Sequence, residues 1–135
     1  MIEYHRDRPI TLALAIDLYR ASTLGERRPI DDETRFAAML ANANITITAW
    51  DRELLVGIAR SISDMVWTTY LADLAVRVSH QRRGIGKQLM QHTQAAAPQA
   101  KLLLLAAPAA SDYYAHVGLA HAANAWRLDP TARIT

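Results

Sequence analysis

Asp73-Leu74-Ala75-Val76-Arg77-Val78-Ser79-His80-Gln81-Arg82-Arg83-Gly84-Ile85-Gly86-Lys87-Gln88-Leu89 is the stretch on which the reading of the fold turns. An apolar strand ends near Val76, a basic turn follows, and helical spacing begins around the two glycines. The first amide N–H groups of a helix have no intrahelical partner, and the helix dipole adds positive potential there. Gly84 and Gly86 carry no side chain to block a ligand, so a pyrophosphate can approach those amides closely. Arg82, Arg83 and Lys87 add charge of the right sign. The alternative is a tight turn in which glycine only relieves crowding. The pattern is not a dinucleotide fingerprint, which needs three glycines, nor a P-loop, which needs Gly-Lys-Ser/Thr.

Upstream, residues 67–76 are rich in aromatic and β-branched types and read as a long strand. Downstream, Ile85, Leu89, Thr93 and Ala96 define one face of a helix over 84–97. The apolar run 101–106, bounded by Pro98 and Pro108, reads as a strand buried on both sides. A strand-helix-strand crossover makes its two strands parallel and right-handed. Further out, a short first strand spans 2–5, and a helix over 9–21 has Ile10, Leu14 and Leu18 at four-residue spacing. Asp31 or Asp32 caps a second helix that buries Phe36, Met39 and Leu40. Alternation at Ile45-Thr46-Ile47-Thr48 and the turn Asp51-Arg52-Glu53 mark a hairpin running to 62. A short helix over 109–117 ends at Gly118, and 121–128 reads as a last strand. The expected order is β-α-α-β-β-β-α-β-α-β: an α/β fold with a mixed sheet and helices on both faces, one domain over 1–135.

Composition bounds the function. The 135 residues are 51% hydrophobic and 21% charged, as in an ordinary globular protein. No apolar run approaches about 18 residues, so no membrane partner is expected. The charged start, Met1 to Arg8, argues against a secretory signal. Zero cysteines exclude disulfides, thiolate zinc sites and a cysteine nucleophile, which fits a cytoplasmic location. Fifteen basic against thirteen acidic residues is too even for a nucleic-acid binder. The local exception, residues 77–87, holds Arg77, Arg82, Arg83 and Lys87 without an acid, and suits a small polyanion.

Gln81-Arg82-Arg83-Gly84-Ile85-Gly86 resembles the Gln/Arg-x-x-Gly-x-Gly/Ala signature of the GNAT acetyltransferases. Leu74-Ala75-Val76 looks like the strand end preceding it. Asp112-Tyr113-Tyr114-Ala115-His116-Val117-Gly118-Leu119 is similar to the family's second motif. The resemblance implies the GNAT fold, acetyl-CoA as co-substrate and an amine as acceptor. It implies that pantetheine runs along Leu74, Ala75 and Val76, in a gap between two splayed parallel strands. The pyrophosphate then rests on Gln81, Arg82, Arg83, Gly84, Ile85, Gly86 and Lys87. Family members are often dimers, and a homodimer follows by that analogy alone. Two departures stand out. The stretch Ala106-Ala107-Pro108-Ala109 lacks the family's frequent asparagine, and Leu119 replaces its usual phenylalanine.

Acetylation of an alkylamine of pKa about 10.4 requires loss of a proton at neutral pH. The resemblance implies Asp73, three residues before Val76 where the family often places an acid facing the acceptor, as the candidate base, against the alternative of a structural carboxylate. Asp64 is a lesser candidate. Tyr114 matches the family's general acid, with Tyr113 as a packing neighbour. His80, His92, His116 and His121 lack metal-binding spacing, so no metal is expected. The loop between the first two helices carries Arg27, Arg28, Asp31 and Asp32, with Trp50, Arg60, Trp67 and Tyr70 as further candidates near the acceptor. An arginine pair suits a carboxylate or phosphate, against the alternative of solvated loop charge. The expected function is N-acetylation of a small-molecule or peptide amine. A non-catalytic acyl-CoA sensor on the same fold is the alternative, and retention of Tyr114 with Asp73 favours the enzyme.

Overall fold

The alternation between 45 and 63 forms the expected hairpin. Strand β2 (Ile45–Asp51) pairs antiparallel with β3 (Leu54–Ser63), and Arg52 turns the corner with φ of 56°. Strand β1 (Ile2–Arg6) adds to β2, and β4 (Thr68–Val76) adds to β3, both antiparallel. Strand β5 (Lys101–Leu103) then joins β4 in parallel, giving a mixed sheet in the order β1-β2-β3-β4-β5. The computed structural model describes Met1–Thr135, in two compact units, Met1–Leu105 and Ala106–Thr135. The sheet belongs to the first.

Helix α1 (Leu12–Ala21) starts later than its periodicity predicts, because the Thr11 hydroxyl accepts the Leu14 amide at 3.1 Å and caps it. Such a cap is worth about 1 kcal/mol. The buried face is Ala15, Leu18 and Tyr19, rotated away from Leu14, which is exposed. Helix α2 (Glu33–Asn42) is capped by Asp32, whose carboxylate accepts the Arg35 amide, and it buries Phe36 fully. These side chains pack with Leu55, Ile58 and Ala75 on one sheet face. Fully burying each large apolar side chain contributes about 1.5–3 kcal/mol.

Helix α3 (Ile85–Ala96) covers the opposite face with Ile85, Leu89, Met90 and Thr93. Its close approach depends on Gly57: a Cβ there would lie 3.0 Å from Leu89 Cδ1 and 3.3 Å from Ile85 Cγ2. Adjacent Ile58 points the other way, into the α1–α2 core. Helices therefore lie on both faces, as expected.

Two expectations fail beyond α3. Strand β5 stops at Leu103 instead of running to 106, and it is half-exposed rather than doubly buried. No strand forms over 121–128; Trp126 there is 97% exposed. A segment with apolar residues makes a strand only where a sheet edge buries one face, and this segment buries none. The second unit contains a short helix, α4 (Ser111–His116), ending at Gly118 with φ of 103°.

Candidate active site

Strand β4 determines the site's shape. Its parallel pairing to β5 covers only Thr68↔Lys101, Thr69↔Leu102 and Tyr70↔Leu103, so residues 71–76 have no strand on that side. On its other side the register shifts. Asp73 opposes Arg60 and Leu71 opposes Ser61, which leaves Ala72 as the extra residue of a β-bulge. The strand thus opens away from β5 and kinks at the same place.

At the kink, Asp73 turns toward α1 and α2 and is fully buried. Its Oδ2 accepts the Tyr19 hydroxyl and Arg60 Nε, each at 2.6 Å, and its Oδ1 accepts Arg28 Nε at 2.6 Å. Arg60, 8% exposed, also donates from Nη1 to Met39 O of α2 at 3.2 Å. Arg28, 25% exposed, donates Nη2 to the bulge carbonyl of Ala72 at 3.0 Å and Nη1 to Arg27 O at 2.8 Å. Burial pushes the Asp73 carboxyl up, but the bond and charge of Arg60, then Tyr19 and Arg28, outweigh it and hold its pKa below the ordinary value. Burial also lowers the Arg60 pKa, and its bond to Asp73 more than reverses that. Burial, then the Asp73 charge, raises Tyr19 well above the ordinary phenol, so it stays protonated.

The turn after β4 leaves backbone amides open at the start of α3. Gln81 donates its side-chain amide to Val76 O at 2.9 Å and so folds the turn back on the strand end. Arg82 and Gly84 take positive φ values of 62° and 78°. Gly84 is the N-cap of α3, no side chain caps the helix, and a Cβ on Gly84 would meet nothing within 4 Å. The first intrahelical bond is Gln88 N to Gly84 O, so the amides of Ile85, Gly86 and Lys87 precede the ladder. Ile85 is buried by its side chain, whereas Arg82, Arg83 and Lys87 are exposed. A second tie was not legible in the sequence: Ser79 Oγ meets His80 Nδ1 at 2.7 Å, and His80 Nε2 meets Asp51 Oδ2 at 2.9 Å. It fastens the turn to the β2–β3 hairpin, and the His80 bond is the main cause that lowers the Asp51 pKa.

Leu74, Ala75 and Val76 lie on the unpaired length of β4, opposite Ala59, Ile58 and Gly57 of β3. Tyr70 is exposed on β4 at the last β5 pair. Arg27 is exposed, so of the arginine pair only Arg28 reaches the buried network. Asp31 pairs with Arg20 on the surface. Asp64 accepts three amides, from Val66, Trp67 and Thr68, in the β3–β4 turn; these bonds lower its pKa and employ it as a turn cap. Trp50 is buried, with Nε1 on Thr48, and exposed Trp67 carries Lys101 Nζ 4.7 Å from its ring centre. Tyr19 is missed by the sequence periodicity, which puts Ile10, Leu14 and Leu18 on the buried face; nothing in the sequence marks its hydroxyl as an Asp73 partner. A depression of about 540 Å³ lined by Leu12, Ile16, Asp17, Arg20 and Glu33 contains none of the expected site residues.

Within the second unit, Tyr113 and Tyr114 lie on α4, their rings edge-to-face at 5.4 Å. Tyr114 O accepts the Leu119 amide at 2.9 Å, which closes the turn through Gly118.

A splayed parallel pair leading into a glycine-capped helix is matched by a family model. The Acetyltransferase (GNAT) domain matches residues 28–125. The chain belongs to the GNAT acetyltransferase family. The match runs through both compact units and includes β4, the turn, α3 and the tyrosine pair. No curated protein matches the sequence. Solved structures share this GNAT fold. A probable acetyltransferase from meticillin-resistant Staphylococcus aureus superposes with a TM-score of 0.79 at 21% identity, over 98% of this chain and 100% of its own. An aminoglycoside acetyltransferase from an uncultured soil metagenomic sample, in complex with sisomicin, gives 0.71 at 20% identity over 98% and 97%. AAC(6')-Iy, in complex with the bisubstrate analog CoA-S-monomethyl-acetylneamine, gives 0.74 at 13% identity over 98% and 99%. No helix is long and apolar enough to cross a membrane.

Proposed function

We propose that this GNAT protein moves the acetyl group of acetyl-CoA directly to a primary amine of a small molecule or peptide. One observation carries the reading: β4 loses its partner after Tyr70 and runs, unpaired on that side, into the uncapped start of α3. Backbone groups removed from water need partners, and pantetheine offers amides and carbonyls along its length. Leu74, Ala75 and Val76 are the strand residues placed to meet them. The amides of 84–87 and the charges of Arg82, Arg83 and Lys87 suit the pyrophosphate. Gln81 contributes indirectly by shaping the turn.

The amine nitrogen attacks the thioester carbon, the C–N bond forms, and the C–S bond breaks to release CoA thiolate. Tyr114, carried over from the family motif, is the proton donor to that sulfur. A phenol of pKa about 10 is protonated at neutral pH. The amine proton goes to water rather than to Asp73, whose oxygens already accept three charged or phenolic donors and whose pKa is depressed. Asp73 instead holds the bulge beside which the reaction occurs.

Acetyl-CoA titration tests the cofactor assignment. At a ligand concentration one hundred times Kd, stabilisation reaches about 2.7 kcal/mol. Absence of any thermal shift at millimolar acetyl-CoA overturns it, and free-CoA release with an amine library tests the transfer.

A further inference from the structure

The cluster at the β4 bulge is one negative charge short. Two guanidiniums, Arg28 and Arg60, share a single carboxylate, Asp73. Tyr19 adds no charge, since its phenol stays protonated. Buried charge is costly unless paired, so an arginine-carboxylate-arginine triad without a second anion is electrostatically incomplete. The acids of the neighbouring loop do not complete it. Asp31 is ion-paired to Arg20, Asp32 caps α2, and Glu26 is exposed on its short turn.

The deficit has an open side. Arg60 is nearly buried, but a quarter of the Arg28 side chain is exposed. A guanidinium has five N–H donors, and Arg28 spends three, on Asp73, Ala72 O and Arg27 O. One hydrogen remains on each Nη. Because Nη2 bonds the bulge carbonyl, the guanidinium lies against the length of β4 that has left β5. Any acceptor presenting its amine at that opening brings its own substituents next to Arg28.

We propose that the acceptor carries a carboxylate, which docks on the two remaining Arg28 donors and balances the triad to two cations and two anions. The inference rests on the acetyl-transfer reading and narrows its substrate class to amino acids or peptide-like molecules with a free carboxylate. It also separates this chain from the structural neighbour that binds sisomicin. A polycation would add positive charge to a centre that already has an excess.

The test is free-CoA release with matched pairs: amino acids and dipeptides against their carboxamides, with sisomicin as the polycation. Bonds to a charged group give about 10-fold or more in favour of the carboxylate partner in kcat/KM. In Arg28→Gln, which leaves Asp73 balanced by Arg60 alone, that ratio falls toward unity while the acetyl-CoA thermal shift persists. Should Arg28→Gln fail to fold, the wild-type ratio and Arg28→Lys, which keeps charge but loses the fork, decide. Equal use of both partners, preference for the carboxamide or sisomicin, or no carboxylate amine accepted while acetyl-CoA still binds overturns the proposal. So does an equal fall in kcat for both partners in Arg28→Gln, which would give Arg28 to the reacting carbonyl. Loss of the acetyl-CoA shift in the wild type is a separate result: it removes the cofactor reading and this inference with it.

Discussion

Replacing Asp73 by asparagine removes the only anion of a buried cluster while changing its volume little. Asparagine keeps one carbonyl acceptor, but Arg60, 8% exposed, and Arg28 are left facing each other without a counter-charge. Removing one partner of a buried ion pair costs about 3–5 kcal/mol. For a protein of this size that corresponds to a fall in Tm of about 10–20 °C. The loss depends on pH in a defined direction. Because the folded-state pKa of Asp73 is depressed, its contribution is fully present above the unfolded carboxylate pKa of about 3.9 and disappears as pH falls through the folded value. The gap between wild type and Asp73→Asn is therefore widest near neutrality and closes below about pH 4. Calorimetry across this range measures it. A variant as stable as wild type at pH 7 refutes the structural assignment. If the variant stays folded and its kcat/KM profile loses only an acidic limb, Asp73 is the proton acceptor after all.

Three further substitutions probe the site. Gly84→Ala places a Cβ in open space at φ of 78°, so the folding cost is limited to left-handed strain of about 1–2 kcal/mol. Acetyl-CoA affinity by calorimetric titration falls more than stability does, and unchanged affinity would put the phosphates elsewhere. His80→Ala cuts the chain from Ser79 to Asp51 and raises the acetyl-CoA Kd about 3–10-fold with kcat unaltered; an unchanged Kd shows that the turn holds itself. Tyr114→Phe lowers kcat by roughly 10²-fold with acetyl-CoA affinity retained, since a thiol of pKa about 8.5 leaves tolerably without a strong acid. Wild-type turnover under conditions where chemistry limits the rate would reduce Tyr114 to a packing residue.

The legible parts of the fold are those governed by local rules. Alternation over 45–62, the crossover after Val76 and the glycine turn before α3 each depend on residues close in sequence, and each forms. Thr11 shows the limit of periodicity: the apolar spacing continues upstream of it, but the helix begins where a hydroxyl can cap an amide. The segment 121–128 shows another limit. Its apolar residues Ala123, Ala125, Trp126 and Leu128 are compatible with a strand, but β2 has a partner on each edge, while 121–128 forms no strand.

Asp73 carries the same lesson into chemistry. The family resemblance makes its position, three residues before Val76, that of a candidate base, and a structural carboxylate satisfies the same spacing. What separates them is the company it keeps: Tyr19 is 54 residues away, Arg28 is 45 and Arg60 is 13. Arg60 becomes its cross-strand partner only through the shifted register at Ala72. Without the bulge, the alternation of β4 would carry either Leu71 or Asp73 to the wrong face, and a buried leucine and a buried carboxylate cannot exchange environments. The bulge at Ala72, just past the point where β4 parts from β5, is therefore also what turns Asp73 toward its arginines. The unpaired length of β4 and the Asp73 cluster meet at one extra residue in the strand, so a change that straightens the strand at Ala72 should disturb both together.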